Sequence, residues 1–123
     1  MADLTPRVAV GAPVIQSYSA EGFIVGGKQY NCAVLIAGSD VVPLQLEGLS
    51  ALTEAHLEAL SAHEVTYLIL GTGTHSALPP RAVSAALKAR NIVIEPMGTA
   101  AACRTYNVLL AEGRQIAALL LPV

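Results

Sequence analysis

Tryptophan is missing from this chain, phenylalanine occurs once, and charged residues make up 13% of it, about half the usual share. A surface so poor in charge is unusually apolar, which points to a protein partner or to self-association. Seven lysines and arginines against nine aspartates and glutamates leave a net charge of −2, and no basic cluster occurs. Nucleic acid is excluded on that ground, because binding it takes several phosphate-neutralising residues on one face. Cys32 and Cys103 are too few for a disulfide framework and suit small buried hydrophobes in a reducing compartment. His56, His63 and His75 have no metal-ligand spacing with the cysteines, so neither a metal nor a cofactor is expected. No uncharged run reaches the roughly 18 apolar residues that cross a bilayer. Met1 to Arg7 carries Asp3 and Pro6 and leads to no long apolar core, unlike a secretory signal or a mitochondrial presequence. The expectation is a cytoplasmic, bacterial protein.

The 54% hydrophobic content is ample for one core in 123 residues, and the chain is read as a single domain, 1–123, without linker or repeat. Its second half is the more regular. Val65 to Leu70 is a continuous β-branched and apolar run that suits a strand covered on both faces. Gly71-Thr72-Gly73-Thr74 stops it. Pro79 and Pro80 suit a helix entry, so a helix is predicted from about Pro80 to Ala89, with Ala82, Val83, Ala86 and Leu87 inward and Asn91 as a left-handed stop. Ile92 to Glu95 reads as a strand ended by Pro96. Thr99 suits the N-cap of a second helix running to about Glu112, closed by Gly113. Gln115 to Leu121 supplies the last strand. Right-handed crossovers make the three strands parallel and place both strand-to-helix turns on one sheet edge.

The first half reads as a meander. Val14 to Tyr18 and Phe23 to Val25 are extended, Gly26-Gly27 turns, and Gln29 to Ala37 forms a long strand. After the Gly38-Ser39-Asp40 turn, Val41 to Leu46 is a short strand that Pro43 places at an edge. A helix is predicted from about Glu54 to Ala62, with Thr53 as N-cap, Leu52 and Leu57 as a hydrophobic staple and Leu60 on the core side. The fold class is therefore α/β: a compact layered fold with a mixed sheet, an N-terminal β-meander and a C-terminal parallel βαβαβ unit.

Helix N-termini at the carboxyl edge of a parallel sheet offer unpaired N–H groups that favour a small anion. Gly71, Thr72, Gly73, Thr99 and Arg104 are the candidates to line such a site. In the second helix Ala102, Cys103, Tyr106, Leu109 and Leu110 form the core stripe, whereas Arg104 and Asn107 share another. The Gly-Thr-Gly turn is not a nucleotide fingerprint, since the third glycine is absent, and it equally suits an ordinary tight turn. His75 after that turn could act as a base or bond within its loop. Cys103 could be a nucleophile favoured by Arg104, yet its phase points it at the core. Glu95 lies beside the expected pocket and could instead pair with Arg104. Nothing in these spacings names a reaction.

The run Glu95-Pro96-Met97-Gly98-Thr99-Ala100-Ala101-Ala102-Cys103-Arg104-Thr105-Tyr106-Asn107-Val108-Leu109, with Gly71-Thr72-Gly73 before it and Glu112-Gly113-Arg114 after it, resembles the MTH-like domain family. Gly22 to Tyr30 is similar to the hairpin near the start of these proteins. The family's eukaryotic members include a respiratory complex I assembly factor and an adipogenesis-associated protein. The resemblance implies a compact α/β fold and an interaction or assembly role, without a known reaction. Two departures stand out: Gly98 where the family often has an acid, and the absent tryptophan. An enzyme or sensor at the Gly71 to Arg104 edge is the alternative.

Overall fold

The computed structural model describes residues 2–3 and 12–123. Apart from Ala2–Asp3, the segment Met1 to Arg7 lies outside the described residues. In chain order come β1 (Ala2–Asp3), β2 (Ile15–Ser19), β3 (Gly22–Val25), β4 (Lys28–Tyr30), β5 (Ala33–Ala37) and β6 (Asp40–Leu44). Two 3-10 helices follow, Leu49–Ala51 and Glu54–Ala62. Then come β7 (Tyr67–Gly71), α1 (Arg81–Ala89), β8 (Val93–Met97), α2 (Thr99–Ala111) and β9 (Ile116–Leu120). Strands β1-β2-β3-β4 form an antiparallel sheet, and β6-β5-β9-β7-β8 form a second, mixed one. Within the second, β8, β7 and β9 are parallel, while β5 runs antiparallel to β9 and β6.

The central strands are apolar throughout because the mixed sheet is covered on both faces. Alternate side chains go to opposite sides. Ala33, Leu35, Leu68, Leu70, Ala117 and Leu119 pack with Leu57 and Leu60 of the longer 3-10 helix and with Val83 and Leu87 of α1. Val34, Ile36, Ile69, Ala118 and Leu120 face the other way, onto Ala102, Cys103 and Tyr106 of α2 and onto Ile15 and Phe23 of the first sheet. The first sheet and α2 therefore share one face of the mixed sheet.

Asn91 adopts the left-handed φ of 58° expected of a helix stop. Several expectations are corrected. Pro96 does not end β8, which continues to Met97. Val93 N–H and Met97 C=O bond toward β7 and its flanks. Two-residue alternation then turns Pro96, which has no N–H, to the free edge of this outermost strand. The expected long strand Gln29 to Ala37 breaks at Asn31-Cys32, so that β4 stays with the first sheet and β5 joins the second. Gly22 makes this crossing feasible, since a Cβ there would sit 1.9 Å from the Tyr30 carbonyl oxygen. Ala82 is exposed and Ala86 only partly covered, because α1 rests on the sheet through the narrow Val83–Leu87 stripe. Glu54–Ala62 is helical with the expected bounds, but of 3-10 type. Leu57 and Leu60, three residues apart, stack on one side at three residues per turn and are both buried, as is Leu52.

Candidate functional site

Strands β7 and β8 end side by side, with Gly71 opposite Met97, so the loops after them share the carboxyl edge as the sequence places them. Their polar groups bond to one another. Thr72 N–H donates to the Met97 carbonyl at 2.9 Å, and Thr99 N–H donates to the Gly73 carbonyl at 2.8 Å. Gly73 N–H donates to Thr99 Oγ1 at 2.9 Å, and that hydroxyl donates onward to the Leu121 carbonyl at 2.6 Å. Thr99 is thus the first residue of α2 and fully buried, and Gly98 takes the N-cap position. Its hydroxyl is drawn away from capping because it lies between the loop after β7 and the end of β9 and satisfies one backbone group on each. The Thr72, Gly73 and Thr99 donors of the expected anion site are therefore occupied from within.

Gly71 serves close packing. A Cβ there would come within 2.9 Å of Leu120 Cδ2 and 3.0 Å of Thr99 Oγ1. Thr72 Oγ1 donates to the His75 carbonyl at 2.6 Å, and His75 itself is exposed on the loop. Arg104 and Glu95 are both exposed, and among the described residues no ion pair joins them. Glu95 acts instead on Tyr67, whose phenol is pushed up by burial first and by Glu95 second, with Arg114 opposing. Cys103 is buried, and burial pushes its thiol up to about 12 against a smaller pull from Arg104. It is a neutral core thiol at physiological pH.

Asn107 corrects the helix reading most clearly. The expected stripe sets it with exposed Arg104, yet it is 3% exposed. Its Oδ1 accepts from Ile15 N–H at 3.0 Å and its Nδ2 donates to the Ile15 carbonyl at 2.8 Å. The reason is that α2 is covered by two sheets, so its buried arc is wider than one stripe. The amide imitates a neighbouring strand where the β2–β3 register shifts between Ile15 and Ser17.

The accessible hollow at this edge lies on the β9, β5 and β6 side. It is an open cleft of about 1020 Å³. Thr72, Gly73 and Thr74 border it together with Leu44, Leu46 and Leu49. Gly71, His75, Glu95, Thr99, Cys103, Arg104 and Asn107 do not reach it. Cys32 and His56 do, and sequence reasoning passed over both. Cys32 is half-buried at the break between β4 and β5, a break that hydrophobic patterning does not signal. His56 Nδ1 accepts from Thr53 N–H at 2.9 Å, the place a glutamate holds in the usual capping box. Leu49 also borders an adjoining hollow with Leu78, Pro79 and Pro80. Leu78 is 83% exposed. Among the described residues no group of histidines, cysteines and carboxylates could hold a metal ion, and no helix is long and apolar enough to cross a membrane.

Residues 15–121 match the family described as "Protein of unknown function (DUF498/DUF598)". An uncharacterised protein of Rhodobacter capsulatus is 38% identical over the whole of this chain and 94% of its own length. NADH dehydrogenase [ubiquinone] 1 alpha subcomplex assembly factor 3 of Danio rerio is 34% identical over 94% of this chain and 68% of its own length. The human factor of that name is 29% identical, and the chain spans 66% of its length. Among solved structures, an outer membrane protein from Bartonella henselae superposes with a TM-score of 0.84 at 30% identity, covering 93% of this chain and 98% of that one. A Mth938-like domain of Bordetella pertussis gives 0.79 at 23% identity, with 98% and 92% covered, and shares the fold. The family resemblance carried by the Thr99 to Arg114 run is thereby borne out.

Proposed function

Because the chain belongs to the DUF498/DUF598 family, some of whose relatives are named as assembly factors, we propose that it is a protein-interaction module of the assembly type. The partner class is a subunit of a respiratory NADH dehydrogenase, taken from the names of those relatives. The observation that carries the reading is the apolar shelf of Leu78, Pro79 and Pro80, which continues past Leu49 into the open cleft. An aliphatic side chain 83% exposed beside two prolines and a hollow is the surface a partner would cover. The interior adds support. Thr99 and Asn107 bond to backbone groups of neighbouring segments, and Cys103 packs in the core. A cytoplasmic location is part of the proposal and is supported by two free thiols, Cys32 and Cys103.

The test is complementation. In a host strain lacking this chain, the amount of assembled NADH dehydrogenase is read on native gels, with the wild-type protein or Leu78→Asp supplied at equal abundance. The wild type is expected to restore the complex and Leu78→Asp to restore less of it. Normal assembly without the chain would overturn the reading.

A further inference from the structure

At the amino edge of the parallel strands, opposite the Gly71 loops, lies a smaller cavity of about 190 Å³. Gly38, His63, Tyr106, Leu110 and Ile116 line it. Tyr106 is 1% exposed, and among the described residues nothing hydrogen-bonds to its hydroxyl. Every side-chain nitrogen or oxygen wholly shut off from solvent has a partner among those residues, so this hydroxyl is reached from the cavity that Tyr106 borders. A buried tyrosine hydroxyl without a protein partner is uncommon and marks a place for an acceptor. Burial pushes the phenol well above its ordinary range, so it remains a donor at neutral pH.

His63 supplies the opposite character. Its Nε2 lies 2.8 Å from Asp40 Oδ2, and a carboxylate only accepts, so Nε2 carries the proton. In the neutral ring Nδ1 is then an acceptor. The Nδ1–Cε1 side of the ring packs against Gly38, where a Cβ would sit 2.6 Å from Nδ1, so this glycine makes room for it. Glu64 and Arg114 stand at the mouth with opposite charges, which favours neither an anion nor a cation inside. The volume equals that of about six waters, enough for a molecule of about that many heavy atoms.

We propose that this cavity binds a small uncharged molecule with a hydrogen-bond acceptor and a donor on adjoining atoms, of the primary carboxamide class. The carbonyl takes the Tyr106 proton and the NH2 group donates to His63 Nδ1, while the alkyl part rests on Leu110 and Ile116. A carboxylate of the same shape sets an acceptor against Nδ1. The proposal is independent of the docking surface, which lies at the other end of the sheet.

Propionamide and propionate, titrated separately into the full chain at pH 8, are followed by amide NMR shifts. Propionamide is expected to give saturable shifts at Gly38, Leu110 and Ile116, and propionate none. Tyr106→Phe is expected to weaken binding about tenfold with the remaining spectrum unchanged. Should that variant not fold, Leu110→Phe, which narrows the cavity from its rim, is expected to abolish the shifts. Equal or tighter binding of propionate overturns the assignment, as do shifts that never saturate because the cavity holds water alone.

Discussion

Replacing Asn107 tests how α2 is joined to the first sheet. Its amide satisfies both backbone groups of Ile15, a fully buried residue, at 3.0 and 2.8 Å. Asn107→Leu keeps the branching and the number of heavy atoms but leaves a buried N–H and a buried C=O unpaired, each costing about 1–3 kcal/mol. A loss of about 2–4 kcal/mol is expected after partial offset by the apolar side chain. With a urea m-value of about 2 kcal/mol/M, the unfolding midpoint falls by about 1–2 M. Asn107→Asp separates the two bonds. At neutral pH the carboxylate still accepts from Ile15 N–H but opposes the Ile15 carbonyl, whereas the protonated acid can donate to it. The folded-state pKa of the introduced acid is therefore raised above the unfolded value of about 3.9. A raised pKa means stability that is fully present below the unfolded pKa and lost as pH rises through the folded one. The difference curve between Asn107→Asp and wild type should show the variant recovering below about pH 4 and losing stability above. Urea melts across that range measure it. A flat difference, or an Asn107→Leu variant as stable as wild type, would refute the strand-like role of the amide.

Two further outcomes follow from the packing around α2. Gly71→Ala brings a Cβ to 2.9 Å from Leu120 Cδ2 and 3.2 Å from Ala102 Cβ, so an overpacking loss of about 1–3 kcal/mol is expected in urea melts. With the Cys103 thiol pushed up to about 12, alkylation of the native protein at pH 8 should label Cys32 alone, and Cys103 only after unfolding, as read by peptide mass mapping.

The elements legible in the sequence are those whose pattern is local. The parallel trio β7, β8 and β9, both α-helices and the two-turn carboxyl edge were readable because apolar runs, helix entry at Pro80 and the stop at Asn91 are written within a few residues of where they act. What escaped depends on distant neighbours. Pro96 reads as a strand end until β8 is known to be outermost, and Gln29 to Ala37 reads as one strand until two sheets claim its halves. The carboxyl edge was legible as the meeting place of the two loops, but the bonds that its polar groups make were not. Thr99 and Asn107 have the chemistry of ligand-binding residues, and only the positions of Leu121 and Ile15 reveal that this chemistry is spent on backbone groups. No spacing rule links Asn107 to Ile15 across the chain.

The two outer strands of the mixed sheet each carry a proline, Pro43 in β6 and Pro96 in β8. In the β5–β6 hairpin Ala37 faces Asp40 across a two-residue turn, and counting outward by twos from that bonded pair leaves Pro43 on the alternate that looks away from β5. Pro96 looks away from β7 in the same manner. Each rim thus lacks a donor where an incoming chain would need one, which guards an unusually uncharged protein against fibre growth by strand addition. Assembly at the mixed sheet is thereby steered to its faces and clefts, because the seam along each of its two rims is interrupted.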